Sequence, residues 1–72
     1  MVSPDDIKRW IEAGLPGSLV DCQGDGRHFE ARVIWEGFAG KSKVQQHQAV
    51  YGALGDKMHQ DIHALSLHTA IA

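Results

Sequence analysis

The apolar positions of the chain switch between two periods, and the switches divide it into elements. Ile7, Trp10 and Ile11 recur at helical spacing. Ser3 is placed to cap that segment, Pro4 suits its first position, and Asp5 and Asp6 favour the positive end of the helix dipole. Gly14 and Pro16-Gly17 predict its end. The period then changes to two. The stretch LVDCQGDGRHFEARVIWE reads as a β-hairpin about Asp25-Gly26. Phe29, Ala31, Val33 and Trp35 alternate with Glu30, Arg32, Ile34 and Glu36, which predicts a half-buried strand with the first set inward. Val20 and Cys22 share a face of the preceding strand.

Gly37-Phe38-Ala39-Gly40 reads as a loop, after which Ser42 and Gln45 have capping-box spacing. Val44, His47, Val50, Tyr51, Leu54 and Met58 then recur at threes and fours, predicting a second amphipathic helix with this set on its apolar stripe. Gly55-Asp56 predicts a break, with a short further turn through Lys57 and Met58. A third strand is predicted from Ile62 to about Thr69. The order is α-β-β-α(α)-β in a single domain, residues 1–72. An α+β fold follows, with a three-stranded mixed sheet and the helices on one face.

Size changes what such a fold can do. A chain of 72 residues has a thin core, and a deep pocket holding a full catalytic constellation is hard to build in it. No nucleophile elbow, phosphate-binding glycine loop or HExxH helix occurs, so the expectation is a binding protein and not an enzyme. The net charge of −2 argues against strong electrostatic binding of nucleic acid, though not against a local basic patch. The single cysteine, Cys22, forms no intramolecular disulfide and suits a reducing compartment. The first ten residues contain no apolar signal core and no run approaches membrane-spanning length; a cytoplasmic location is expected.

Five histidines are the compositional oddity. Topology acts on two of them. A helical crossover between the second and third strands makes those strands parallel. His28 and His63, 35 positions apart, then stand at the same end of the sheet, and come close if no other strand lies between theirs. His28 is out of phase with the inward residues. His63 shares the phase of Leu65 and Leu67 and points inward unless the strand opens on a bend. Two neighbouring imidazoles suggest half of a metal site, since a closed site needs more ligands. On spacing alone the bland reading stays open beside it, with one histidine at the surface and the other packed.

Three segments carry a resemblance. GDGRHF, FAGKSKVQQHQAVYGALGDKM and IHALSLHT together resemble the BolA-like proteins, and the short Gly-Asp-Gly turn is closest to the IbaG-type branch. The match runs from about Val20 to Thr69. It implies a class II KH-like fold, in agreement with the element order. It also implies that the chain pairs with a monothiol glutaredoxin and shares a [2Fe–2S] cluster with it. Glutaredoxin and its glutathione supply thiolates, and the family's cluster ligands fall on His63 and, from the loop between the first two strands, on His28. The isolated protein is expected to hold no cluster and to be a monomer or weak homodimer. Two departures stand out. Many members have Arg where this chain has Gln46, and many continue into a Thr-Pro segment where it has Thr69-Ala70-Ile71-Ala72.

The remaining candidates weigh less. Cys22 is an alternative ligand, because some relatives use a loop cysteine, but its inward strand position favours a core role. His47 reads as a core-edge histidine bonded to backbone, His59 and His68 as surface residues, and Tyr51 and Trp35 as packing anchors whose polar atoms need partners. A DNA-binding regulator is the alternative function. KH-like domains use a Gly-x-x-Gly loop, and Gly37-Phe38-Ala39-Gly40 is followed by Lys41 and Lys43.

Overall fold

The computed structural model describes residues 1–72. It has α1 (Pro4–Gly14), β1 (Leu19–Gly24), β2 (His28–Ile34), a 3-10 turn (Glu36–Phe38), α2 (Lys43–Leu54), α3 (Lys57–Gln60) and β3 (Ala64–Ala70). Both long helices begin on capping boxes. Ser3 and Asp6 exchange bonds at the start of α1, and Ser42 and Gln45 do so at the start of α2. Gly26 takes a φ of 100° at the hairpin tip, a conformation that suits glycine.

The sheet order is β1-β2-β3. β1 pairs antiparallel with β2, and β2 pairs parallel with β3, with His28 opposite Ala64 and Val33 opposite Thr69. This is the α+β, KH-like order expected from the sequence. The core is one cluster in which Ile7 and Ile11 of α1, Val50 and Leu54 of α2, and Phe29, Ala31 and Val33 of β2 are buried together. Each fully buried aliphatic side chain contributes roughly 1.5–3 kcal/mol, so a cluster of this size stabilises the domain with little to spare.

Three expectations are corrected. The buried stripe of α2 is Gln46, Val50 and Leu54, with Ala49 and Ala53 packed against the core, while Val44 and Tyr51 are exposed. The reason is close packing against α1. A Cβ added to Gly14 would lie 2.5 Å from the Cβ of Ala53, so the helices meet through their smallest residues. The stripe read from large apolar residues is right at Val50, Leu54 and Met58 and wrong at Val44 and Tyr51. Second, Phe38 does not lie in an open loop; it is fully buried in the 3-10 turn and meets Trp35 edge to face at 5.3 Å. Third, β3 begins at Ala64, two residues later than expected, after a bend at His63.

Candidate functional site

That bend decides the orientation of His63. Ile62 is buried and plugs the core, the chain turns at His63, and the strand alternation restarts with Leu65 and Leu67 packed against the core. His63 is freed from their phase and is exposed. His28, the first residue of β2, is exposed as well. The two imidazole centroids lie 6.0 Å apart with their planes at 87°.

The backbone beneath the pair is tied down. The Asp25 carboxylate accepts hydrogen bonds at 2.9 Å from the backbone N–H groups of both Arg27 and His28. Those two bonds, that from His28 first, hold its carboxyl below the ordinary carboxylate range. The N–H of Ala64 donates at 3.1 Å to the carbonyl of Arg27, so the residue after His63 is bonded to the residue before His28. Neither imidazole is engaged in a side-chain hydrogen bond within the chain. No group of three or more His, Cys, Asp or Glu side chains is placed to hold a metal ion. The arrangement is therefore two candidate nitrogen donors, close together and open to solvent. Two imidazoles on one tetrahedral metal ion, at metal–nitrogen distances of about 2.0–2.1 Å, have centroids about 5 Å apart. The observed separation of 6.0 Å is about one ångström wider than that.

A family model for BolA-like proteins matches residues 12–72. The chain belongs to the BolA-like family. It is 41% identical over 64 residues to the acid stress protein IbaG of Escherichia coli K12, a match covering 88% of this chain and 76% of IbaG. A BolA homologue from Coxiella burnetii, of known structure, is 51% identical with a TM-score of 0.92, over 99% of this chain and 92% of that one. The DNA-binding transcriptional regulator BolA of Vibrio cholerae is 40% identical over 47 residues. There the match spans 65% of this chain but 44% of the regulator, and it spans only 14% of the SufE-like protein 1 of Arabidopsis thaliana.

Elsewhere in this BolA-like domain the sequence candidates are placed as follows. Cys22 lies opposite Ala31 on the inner face, half-buried against the core. Burial, helped by the Asp5 carboxylate, pushes its thiol pKa up, which disfavours the thiolate a metal needs. Lys41 is exposed, but the Lys43 ammonium is bonded to the backbone carbonyl of Thr69. His59 and His68 are exposed, with His68 Nε2 3.4 Å from the Glu30 carboxylate. His47 is half-buried and lacks the expected backbone bond. Trp35 is half-buried just past β2 and its indole N–H donates to the Pro16 carbonyl at 2.9 Å, as a packing anchor should; Tyr51 is no such anchor.

Two features escaped the sequence reading. The departure at Gln46 is structural. Its side-chain amide donates to the Lys41 carbonyl at 3.0 Å and its oxygen accepts from the Thr69 hydroxyl at 2.6 Å, in a buried network joining α2 to β3. Asp25 was legible as a turn former, and its two-residue offset from Arg27 was the available signal that it also anchors the site. The uncovered face of the sheet carries cross-strand rows Asp21–Arg32–His68 and Gln23–Glu30–Ser66. They mix both charges and present no Phe, Tyr or Trp on which a base could stack. No helix is long and apolar enough to cross a membrane.

Proposed function

We propose that this chain is a small, non-enzymatic adaptor of the cytoplasm that binds a monothiol glutaredoxin and co-ligates a [2Fe–2S] cluster through His28 and His63, serving cluster trafficking or iron homeostasis. The observation that supports this reading is the exposed imidazole pair, 6.0 Å apart on a fixed backbone and without internal partners. Two donors leave a metal centre incomplete, so a partner must bring the rest, and glutaredoxin with its glutathione has thiolates to bring. Imidazole in place of thiolate raises a cluster's potential and makes the bond sensitive to protonation, which suits a cargo that is passed on. Cys22 is the weaker candidate for a ligand.

The test is visible absorption and circular dichroism of the chain mixed with a monothiol glutaredoxin, glutathione, ferrous iron and sulfide. A mixed-complex spectrum is expected for the wild type and for Cys22→Ser, and its loss in both His28→Ala and His63→Ala. An unchanged spectrum in both histidine variants overturns the assignment.

The second reading, a DNA-binding regulator, is supported by the name of the Vibrio cholerae relative. It would rest on Lys41 and Lys43, of which Lys43 is engaged with the carbonyl of Thr69. DNA binding of this kind falls steeply as salt rises, whereas cluster sharing through histidines survives moderate salt.

A further inference from the structure

The strand order leaves one side of β3 without a neighbour. Which backbone groups face that side follows from the ladder. The N–H of Ala64 donates to Arg27 and the carbonyl of Ala70 accepts from Trp35, so both residues turn their backbone groups towards β2. Backbone groups alternate between the two sides of a strand, so Ser66 and His68 face β2 as well, and Leu65, Leu67 and Thr69 face outward. The Thr69 carbonyl is taken by the Lys43 ammonium; the outward groups of Leu65 and Leu67 have no hydrogen-bond partner in the chain. The strand itself does little to discourage a neighbour. It runs seven residues, Ala64–Ala70, with no proline, lysine, arginine or carboxylate, the residues that ordinarily blunt an open edge. β1, the other edge strand, carries Asp21. The Leu65 and Leu67 side chains are only half-buried where they border the open side. Lys43 is also ill-placed for its own helix. It is the first residue of α2, where the dipole repels a cation, and the first turn holds no carboxylate to offset it. Helix stability does not account for a lysine there; its bond to Thr69 at the open edge does.

We infer that Lys43 guards the outer edge of β3 against the addition of a strand, and that the strand it holds off is β3 of a second copy of this chain. β3 is complementary to itself. Antiparallel pairing about Leu67 sets Leu67 opposite its own copy, Leu65 opposite Thr69, Ser66 opposite His68 and Ala64 opposite Ala70. No like charges meet in that register, and the half-buried leucines cover one another. The outward residues form the hydrogen-bonded pairs, so the Leu65 N–H of each copy needs the Thr69 carbonyl of the other. That carbonyl is the acceptor Lys43 occupies. The pairing is two-fold, so two caps must be broken for every dimer formed. Each cap is a charge-assisted bond, and the neutral N–H that displaces it does not replace it in kind. The chain is thereby kept single although it displays an open strand with no charged residue of its own beyond what His68 can acquire.

The experiment compares wild type, Lys43→Met and Lys43→Arg by sedimentation velocity from about 10 μM to about 1 mM, with residue-resolved amide exchange at both ends of that range. Lys43→Met keeps the length of the side chain and loses its donor, whereas Lys43→Arg keeps charge and donor. Lys43→Met should dimerise at least roughly tenfold more tightly than wild type, since two charge-assisted bonds no longer oppose pairing. Lys43→Arg should sediment as wild type does. In the Lys43→Met dimer the amides of Leu65, Leu67 and Thr69 should become protected, while those of Ser66 and His68, already in the ladder, change little. A Lys43→Met protein that stays as monomeric as wild type at every concentration overturns the role of Lys43. A dimer whose new protection falls on β1 or on the helices overturns it too, because the paired edge is then another one. Equal dimerisation of wild type and Lys43→Met through β3 overturns the guard. Lys43 is exposed, so Lys43→Met should stay folded, which far-ultraviolet circular dichroism at the lowest concentration checks.

Discussion

The two ends of the parallel β2–β3 pair face opposite fates. At the far end, Thr69 is buried, its hydroxyl bonded to Gln46 and its carbonyl to the Lys43 ammonium. Trp35 donates from its backbone to Ala70 and from its indole to Pro16, and Phe38 fills the space beside it. These polar groups are satisfied within the chain, although the buried Ser18 hydroxyl at the same end has no partner. At the near end the backbone is held as well, by Asp25 and by the Ala64–Arg27 bond, yet two imidazoles are left without partners. Both ends are tied down by hydrogen bonds, but the near one sets two unpartnered imidazoles side by side in solvent. The contrast separates what holds this fold together from what the fold offers to another molecule.

The largest test of the contrast is Phe38→Ala. It opens a cavity at the far end and should cost about 3–5 kcal/mol, enough to leave so small a domain marginal in a urea titration. Gln46→Ala strands the Thr69 hydroxyl and the Lys41 carbonyl, and should lower stability by about 1–3 kcal/mol. Thr69→Val should do the same by orphaning the Gln46 oxygen. The double variant should lose less than the sum, a coupling that a double-mutant cycle reads directly. Trp35→Phe removes one indole bond and should cost about 1 kcal/mol. By contrast, His28→Ala and His63→Ala should each change stability by less than about 0.5 kcal/mol, as surface substitutions do. A stability loss at the histidines as large as at Gln46 would erase the distinction between the two ends.

A finer test uses acid. The Asp25 carboxyl is held below its ordinary pKa by the N–H groups of His28 and Arg27. Its stabilising contribution is fully present above the unfolded-state pKa and is lost as pH falls through the lower folded value. Asp25→Ala should therefore reduce stability near neutral pH and flatten the acid limb of the stability–pH curve, as followed by urea midpoints. Identical acid limbs in the two proteins would show that the turn does not depend on the carboxylate.

The difference between the two ends also explains what could be seen in the sequence. Local chemistry was legible: the Ser3 cap, the Ser42–Gln45 capping box, the Asp25-Gly26 turn and the alternation of β2 are written in neighbouring residues. The approach of His28 to His63 was legible too, because a helical crossover fixes strand direction. The orientation of His63 was not, since it depends on a bend that the apolar pattern passes over. The Gln46–Thr69 network was hidden for a related reason. Its partners lie on different elements and both are polar, so hydrophobic periodicity places them outside the core they occupy. The helix stripe was misread at Val44 and Tyr51, because Gly14 and Ala53 pack closely without being strongly apolar.

The parallel pairing of β2 with β3 also imposes an order in time. His63 follows the whole crossover, and closing a loop of that length precedes any contact between the strands. A chain still emerging from synthesis, or one that has lost β3, has His28 at a hairpin but no second imidazole beside it. The imidazole pair is thus a certificate of completion of the fold. On the proposed function, cargo requiring both nitrogens would be accepted only by a finished, folded molecule.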